Sequence, residues 1–372
     1  MQYLRRERDQ LERLLPGLDD ALAAVPLAEL EQPGGPGIGL FRDHGGAALL
    51  VPAEHGGHGA DLLAMVRVQR ALGARSPSVA VATTMHHFSV ASLAETARTS
   101  NGMEWLLLSA IAKDNLLLAS AFAEGRTGQH ILSPSIVARV DGGKVFLNGS
   151  KKPCSLSRSM NLITASVSLP GPDGTAQLAV ALVPADAPGV SVRPFWTSPI
   201  LAGAESDEVV LADVEVPEEL VVRTGVTSDG QLDHLQTVGF VWFELLMTAS
   251  YLGAASALVE RVLQNEKVDA RLRADAATAV QAAMLAVESV AAREPDQDAL
   301  ADALAVRYAA QDAIDQVVGL CVEALGGMAF IGSGDVAYLN SACRALAFHP
   351  PARARTSGAL LDRLRGEPLR IP

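Results

Sequence analysis

The segment IVARVDGGKVFLNGSKK, residues 136–152, decides how the rest of the chain is interpreted. Apolar and polar residues alternate on both sides of Asp141-Gly142-Gly143, and a turn of this composition between alternating runs predicts a β-hairpin. Similar short runs follow in NLITASVSLPGPDGTAQLAVALVPA (161–185), GVSVRPFW (189–196) and DEVVLADVEVP (207–217). Together they predict a small all-β unit.

The segments on either side of this unit have helical periodicity instead. Apolar residues recur every three or four positions in DLLAMVRVQRALGA (61–74), GMEWLLLSAIAKDNLLLASAF (102–122), ELLMTASYLGAASALVERVLQNE (244–266) and DALADALAVRYAAQDAIDQVVGLCVEALGG (298–327). The last of these helices should end at Gly326-Gly327, because glycine favours helix C-termini. We therefore predict an α+β protein with an N-terminal α-helical domain (1–116), a central β domain (117–230) and a C-terminal α-helical bundle (231–372).

Composition narrows the class of protein further. The net charge of −12 over 372 residues argues against nucleic acid or an anionic membrane as a partner, since phosphate binding needs basic patches. No apolar run approaches the roughly 18 residues of a membrane span, and the charged N-terminus does not resemble a signal peptide. Three scattered cysteines and no metal-ligand spacing predict a cytoplasmic protein without disulfides or a metal site.

Five segments, in this order, resemble motifs of the acyl-CoA dehydrogenase superfamily of flavoproteins. They are LLVPAEHGGHGADLLAMVRVQRALG (49–73), AFAEGRTG (121–128), LNGSKKPCSLSRSMNLITASV (147–167), DEVVLADVEVPEEL (207–220) and VEALGGMAF (322–330). The resemblance implies a central β domain built as a small β-barrel and a C-terminal four-helix bundle. It also implies FAD between the domains, with FMN as the alternative, and a homodimer or homotetramer.

The same resemblance assigns the flavin contacts. It places the Ser155 hydroxyl at the N5 edge of the flavin, although an ordinary serine at the end of a strand is the alternative. It brings Gly326 and Gly327 close to the cofactor of a neighbouring subunit, where the simple alternative is a helix stop. The other contacts that it implies involve Ser120, Glu124, Gly128, Cys154 and Arg271.

Two departures from the family pattern affect the expected chemistry. The Arg-x-x-Phe-Gly element that holds FAD is missing from QNEKVDARLRAD (264–275), where Arg271 and Arg273 are the candidates to substitute for the phosphate contact. This predicts a weakly held flavin, as expected of an enzyme that receives reduced flavin from a separate reductase. The usual glutamate base is also absent, since FHPPAR (348–353) occupies its place. Glu244, one residue beyond the other position that the family uses, is a displaced base or a salt-bridged structural residue.

RALAFHPPARA, residues 344–354, resembles instead the Arg-x-x-x-x-His-Asp-Pro turn of the flavin-dependent monooxygenase branch, with Pro350 in place of Asp. Pro350 and Pro351 should end the preceding helix, so His349 would lie at a helix C-terminus, where the dipole raises its pKa. Imidazole suits general acid–base work, whereas a helix-capping role is the alternative. The pair His86-His87 offers a second histidine, of which His87 is the preferred candidate.

The predicted function is therefore a flavin-dependent monooxygenase that uses reduced flavin and O₂ on a small-molecule or carrier-bound substrate. The first alternative is an acyl-CoA or acyl-carrier-protein dehydrogenase, which acts on a thioester-bound substrate. The second is a non-catalytic flavin-binding subunit.

Overall fold

The computed structural model describes residues 2–99, 102, 104–125, 132, 134–170, 176–226 and 230–371. Within this part of the chain the α-helices are α1 (Arg5–Leu14), α2 (Leu18–Ala23), α3 (Leu27–Leu30), α4 (Gly37–Asp43), α5 (Leu62–Arg75), α6 (Pro77–Thr99), α7 (Glu104–Asp114), α8 (His234–Gln264), α9 (Ala270–Ala291), α10 (Gln297–Gly332), α11 (Gly334–Ala342) and α12 (Arg353–Leu364). The strands are β1 (Leu118–Ala121), β2 (Arg139–Asp141), β3 (Lys144–Cys154), β4 (Leu162–Pro170), β5 (Ala176–Pro184), β6 (Val190–Arg193), β7 (Asp207–Pro217) and β8 (Val221–Arg223).

The order of helices, strands and helices is the predicted one, and the α+β fold class is confirmed. Two hairpins are also confirmed: β2 pairs antiparallel with β3, and β4 pairs antiparallel with β5. Gly142 and Gly143 both have positive φ, as a type I′ turn requires. The turn between β4 and β5 lies outside the described residues. The division into three domains stays a prediction.

The described strands form two four-stranded sheets, in the orders β1-β4-β5-β8 and β2-β3-β7-β6, where the resemblance implies a small barrel. The predicted helix 102–122 is also too long. Its helical part ends at Asp114, and Leu118–Ala121 is a buried strand parallel to β4. A short, continuously apolar run does not distinguish a buried strand from a helix by its periodicity, which explains the error.

Helix α8 is the centre of the helical core, where it packs against α5, α6, α9 and α10. Both α8 and α10 are long and apolar enough to cross a membrane by length and composition alone, so the expectation that no segment approaches this limit is wrong. The apolar part of α8 is mostly buried within the protein, as in core helices of soluble proteins. Only 22% of the apolar part of α10 is buried.

The closest contact between the two helical regions lies where α5 crosses α8, at Gly73 and Gly253. A Cβ atom on Gly73 would lie 2.1 Å from the carbonyl oxygen of Ser250, and one on Gly253 would lie 2.3 Å from that of Arg70. Only glycine permits this approach of the two backbones. The N-terminal helices are thereby held directly against the longest buried helix of the C-terminal region.

Helix α10 does not stop at Gly326-Gly327 as predicted. Gly326 has φ 79° and ψ 168°, which breaks the helical geometry, but the helix resumes and continues to Gly332. Beyond the break, Met328 and Ile331 are 80% and 79% exposed. Glycine is therefore placed where the backbone needs positive φ, and it is followed by an exposed apolar helical turn.

Candidate active site

A cavity of about 1160 Å³ lies between the β sheets and the helices. Its walls come from α6, α7, the start of α8, β1 with the residues after it, the end of β3, and the turn at 345–352. Most of the lining is apolar, with a small number of hydroxyl groups and charged side chains. This volume exceeds the roughly 300–1,000 Å³ that is usual for one small ligand, so a cofactor and a substrate can both be accommodated.

His349 lies on the wall formed by the C-terminal turn. A 3₁₀ helix, Cys343–Phe348, ends immediately before it, and His349 has extended backbone geometry. Pro350 and Pro351 follow, so the predicted helix end is confirmed. The His349 side chain is half-buried and lines the cavity.

Tyr251 on α8 forms a hydrogen bond with the imidazole of His349. Its hydroxyl lies 2.8 Å from His349 Nε2. Burial raises the pKa of Tyr251 far above its usual value, so the hydroxyl keeps its proton and can donate a hydrogen bond to Nε2. When Tyr251 is the donor, the imidazole proton is on Nδ1, which has no hydrogen-bond partner among the described residues. A cavity ligand can therefore accept a hydrogen bond from Nδ1–H.

The sequence-based expectation of a raised pKa for His349 is wrong. Burial, with a smaller contribution from the charge of Arg307, lowers the pKa of His349 to about 3. The helix dipole contributes only about 0.3–1 kcal/mol and is outweighed by the loss of hydration. His349 is thus a neutral donor at pH 7 and not an imidazolium.

Aromatic rings form the cavity wall next to His349. The Phe243 ring centre lies 6.5 Å from that of His349, and the Phe88 ring centre lies 5.5 Å from that of Phe243, both in edge-to-face geometry. Phe243 is the position at which some acyl-CoA dehydrogenases carry their base. Here the cavity wall at this position is apolar.

The opposite wall, from the β sheets, carries several predicted flavin contacts. Ser155 and Ser206 both line the cavity, and their hydroxyl oxygens are 2.9 Å apart. Ser120 also lines it. Glu124 does too, but its carboxylate accepts hydrogen bonds from buried Lys151 at 2.7 Å and from the backbone N–H of Ser135 at 2.9 Å. Glu124 therefore anchors its own loop, and its flavin contact stays a prediction, as do those of Ser120 and Ser155.

Glu244 does not fit the predicted role of displaced base. Its side chain is fully buried, does not line the cavity, and forms an ion pair of 2.6 Å with Arg307. The physical reason is its helical position, since one residue corresponds to about 100° around α8 and turns Glu244 away from the wall that Phe243 forms. The structural alternative, a salt-bridged glutamate, describes what is observed.

Two other candidates lie behind the cavity wall, and a third cannot be placed. Cys154 is buried with its sulfur 3.6 Å from the carbonyl oxygen of Ser120, and burial raises the pKa of its thiol to about 12. His87 is fully buried against Phe41, and burial lowers its pKa well below the usual value. Neither side chain lines the cavity, which corrects the prediction of direct contact. Gly128 lies outside the described residues.

The remaining candidates are on the surface of the chain. Arg271, in the first turn of α9, is 88% exposed and 3.7 Å from the carboxylate of Asp275. Arg271 does not line the cavity of the single chain. Gly326 and Gly327 also lie away from the cavity lining, and their predicted role depends on a neighbouring subunit.

Sequence reasoning missed the residues that hold the His349 turn from inside, namely Arg307, Tyr308 and Tyr251. The signal for Arg307 was present: it is the only charged residue in the stretch 303–311 of α10, as Glu244 is in the stretch 235–259 of α8. Opposite charges that interrupt apolar runs in two packed helices have to be paired where those runs are buried, since an unpaired buried charge is too costly.

The comparisons with known proteins agree with this geometry. Residues 119–214 match the middle domain of acyl-CoA dehydrogenases. The sequence is 50% identical to isobutylamine N-hydroxylase of Streptomyces viridifaciens over 379 aligned residues, which cover 100% of both chains. The chain belongs to the acyl-CoA dehydrogenase superfamily. It is a flavin-dependent oxidoreductase of the monooxygenase type, as the C-terminal turn predicts.

Solved structures of other proteins share the fold. KijD3, in complex with FMN and a dTDP-linked amino sugar, superposes with a TM-score of 0.81 at 20% identity and covers 97% of this chain and 94% of its own. TdsC from Paenibacillus sp. A11-2, with FMN and indole, gives 0.81 at 18% identity and covers 99% and 98%. The nitrososynthase of Micromonospora carbonacea var. africana gives 0.78 at 21% and covers 97% and 96%.

The cavity of this superfamily member fits a flavin. It is wide enough for a ring system beside a substrate, and hydroxyl groups face it from the sheet side. Ser155, Ser206 and Ser120 can exchange hydrogen bonds with the polar edge of the ring. The aromatic wall around His349 then encloses the space left for substrate.

Proposed function

We propose that this flavoprotein N-hydroxylates a small primary aliphatic amine. The balance is RNH₂ + O₂ + 2e⁻ + 2H⁺ → RNHOH + H₂O, with the electrons from reduced flavin. The observation that carries the proposal is the 50% identity, over the full length of both chains, to an enzyme named for the N-hydroxylation of isobutylamine.

The surroundings of His349 support an amine that reacts as the free base. The nitrogen lone pair has to be available for oxidation, and an ammonium ion has none. A cation placed in the mostly apolar lining beside Phe88 and Phe243 would lose hydration, so burial favours the neutral amine. His349 is itself neutral, so it does not repel or protonate the substrate.

The two walls of the cavity have different roles: the sheet side binds the flavin, and the side that carries His349 contacts the substrate. Ser155, Ser206 and Ser120 would hold the flavin, which when bound supplies the two electrons and activates O₂. His349 Nδ1–H donates a hydrogen bond to the oxygen that takes up charge as the amine is oxidised, while Tyr251 donates one to Nε2. Phe88 and Phe243 exclude water from the reacting nitrogen.

The test is a coupled assay with the purified protein, FMN, a flavin reductase, NADPH, isobutylamine and ¹⁸O₂. We expect N-isobutylhydroxylamine carrying one ¹⁸O atom by mass spectrometry. Isobutyraldehyde and isobutyryl-CoA serve as matched non-amine controls and should give no oxygenated product. Peroxide without hydroxylamine, at saturating amine and flavin, would contradict the proposal.

The form of the flavin is part of the same proposal. The sequence resemblance favours FAD, whereas KijD3 and TdsC were solved with FMN. We propose that either reduced flavin is used as a diffusible substrate from a separate reductase, since the Arg-x-x-Phe-Gly element is missing. Parallel titrations of reduced FMN and reduced FAD, read by product yield, will show which one is preferred.

We also propose a cytoplasmic homo-oligomer. The exposed apolar turn after Gly326 supports assembly, because Met328 and Ile331 would be covered by a second copy. Sedimentation velocity should show at least a dimer. A fully active monomer would overturn this part of the proposal.

A further inference from the structure

The ion pair between Arg307 and Glu244 is the most deeply buried charge pair near the cavity. Both side chains are 0% exposed, and Arg307 Nη1 lies 2.6 Å from Glu244 Oε2. Glu244 Oε1 and Arg307 Nε have no hydrogen-bond partner among the described atoms. Two apolar residues could fill the same space at equal or lower cost, so stability alone does not account for this pair.

The other hydrogen bonds of Arg307 show what the guanidinium does. Nη2 donates to the carbonyl oxygen of Leu346 at 3.1 Å and to that of His349, and Nη1 donates to that of Pro350 at 3.2 Å. These carbonyls lie on both sides of the His349 side chain. One planar group therefore fixes the backbone from which the imidazole projects.

Tyr308, the next residue along α10, also binds the turn. Tyr308 donates its hydroxyl proton to the carbonyl oxygen of Pro351 at 3.1 Å. Helix α10 thus binds the turn at successive carbonyls with two adjacent side chains, while Tyr251 of α8 holds the ring nitrogen. Lysine could not replace Arg307, since its single ammonium group lacks the planar fork that reaches several acceptors at once.

We propose that Arg307 is a positioning residue for the monooxygenase reaction, which holds the turn so that His349 faces the cavity, and that Glu244 serves as its counter-ion. The proposal rests on the role proposed for His349 and not on the identity of the amine. The charge of Arg307 also lies close enough to oppose a second positive charge on the imidazole.

A matched residue separates positioning from simple stabilisation. Arg70 on α5 is also 0% exposed and forms an ion pair of 2.8 Å with buried Glu7, but it does not line or contact the cavity. Its hydrogen bonds go to side chains of the helical core, including Ser256 and Gln281. Arg70→Lys should destabilise the fold without altering how oxygen is used.

The experiment compares Arg307→Lys, Glu244→Gln and Arg70→Lys in the full-length protein, with FMN and isobutylamine as probes. The readouts are the melting temperature, the ratio of hydroxylamine to peroxide, and the orientation of the His349 ring in crystals of the resting protein. For Arg307→Lys we expect at least a tenfold lower product-to-peroxide ratio and a displaced or disordered ring. For Glu244→Gln we expect a three- to fivefold lower ratio, and for Arg70→Lys an unchanged ratio.

An unchanged ratio and an unchanged ring in Arg307→Lys would overturn the proposal, as would an equal fall in the ratio for Arg70→Lys. If Arg307→Lys does not fold, the same criteria apply to Glu244→Gln, which keeps the shape of the side chain. If the wild-type protein forms no hydroxylamine, the proposed function fails. The ring orientation in the resting protein still decides whether Arg307 positions His349.

Discussion

The turn at residues 343–351 and the helical end at 326–332 make a useful comparison, because the family resemblance assigns both to the site. The turn is bound from inside by Arg307 and Tyr308, and its histidine by Tyr251. At Gly326 and Gly327, a Cβ atom would meet no neighbouring atom within 4 Å. The chain thus supplies all the support for one element, whereas the other can act only if a second molecule reaches it.

The difference shows which parts of the site are held by contacts within one chain and which depend on a second molecule. A buried polar group needs partners, so the contacts of the turn can be read from one copy. An exposed apolar turn gives no such information until its covering surface is known. The four predictions below test the two elements separately.

Removal of the imidazole should have the largest effect. We expect His349→Ala and His349→Asn to lower product formation about a hundredfold, in line with loss of a general acid–base or hydrogen-bonding group. Flavin oxidation should continue and release peroxide. The measurement is hydroxylamine and peroxide per NADPH consumed, and full coupling in both variants would reduce His349 to a helix cap.

The second prediction concerns acid stability. The pKa of His349 is lowered to about 3 in the folded protein, so between pH 6.5 and 3 the unfolded chain binds a proton that the folded chain does not. Stability should therefore fall as the pH drops below 6.5, by at most about 2 kcal/mol from this group at pH 5. Urea titrations at pH 7 and pH 5 should show a smaller loss for His349→Gln than for the wild type. A larger loss of stability in His349→Gln than in the wild type would indicate that the pKa of His349 is raised, as the helix dipole alone suggests.

The third prediction moves to the wall opposite the turn. Ser155→Ala should leave the fold intact and reduce turnover about tenfold, which corresponds to roughly 1.4 kcal/mol in the barrier. Ser191→Ala, on exposed strand β6, is the matched control and should have no effect. If Ser155→Ala keeps wild-type turnover, the hydroxyl pair with Ser206 is structural, and the turn alone supports the reaction.

The smallest effect on the isolated chain is expected at the uncovered helix end. Ile331→Asp should change the free energy of unfolding of a single chain by less than about 0.5 kcal/mol, because the side chain is exposed. In sedimentation experiments the same change should shift the protein towards monomer. An unaltered oligomer would place the subunit contact elsewhere and leave Gly326 without its expected partner.

The fold could be predicted from sequence to a large extent, because hydrophobic period and turn chemistry are local properties. The Asp141-Gly142-Gly143 hairpin and the long helices α8 and α10 were found in this way. Strand β1 was missed, since its apolar run has no period of its own and its partner β4 is distant in sequence.

The site was less predictable, for a related reason. His349 could be located by its turn, but its charge state depends on burial and on Arg307, which is 42 residues away along the chain. Local reasoning assigned the helix dipole to it and gave the opposite shift in pKa. The lone charges Arg307 and Glu244 were visible in the sequence, yet only the packing of α8 against α10 shows that they meet.

The glycine crossing of α5 and α8 has a consequence for biosynthesis. Gly73 cannot reach its contact until Gly253 has left the ribosome, and the whole β region is synthesised between them. The face of α5 that packs against α8 therefore stays exposed while the sheets form. Nascent chains that stop before α8 should be bound by chaperones, and chains released after α8 should escape them. The close crossing of α5 and α8 thus sets the point in translation at which the helical core can close.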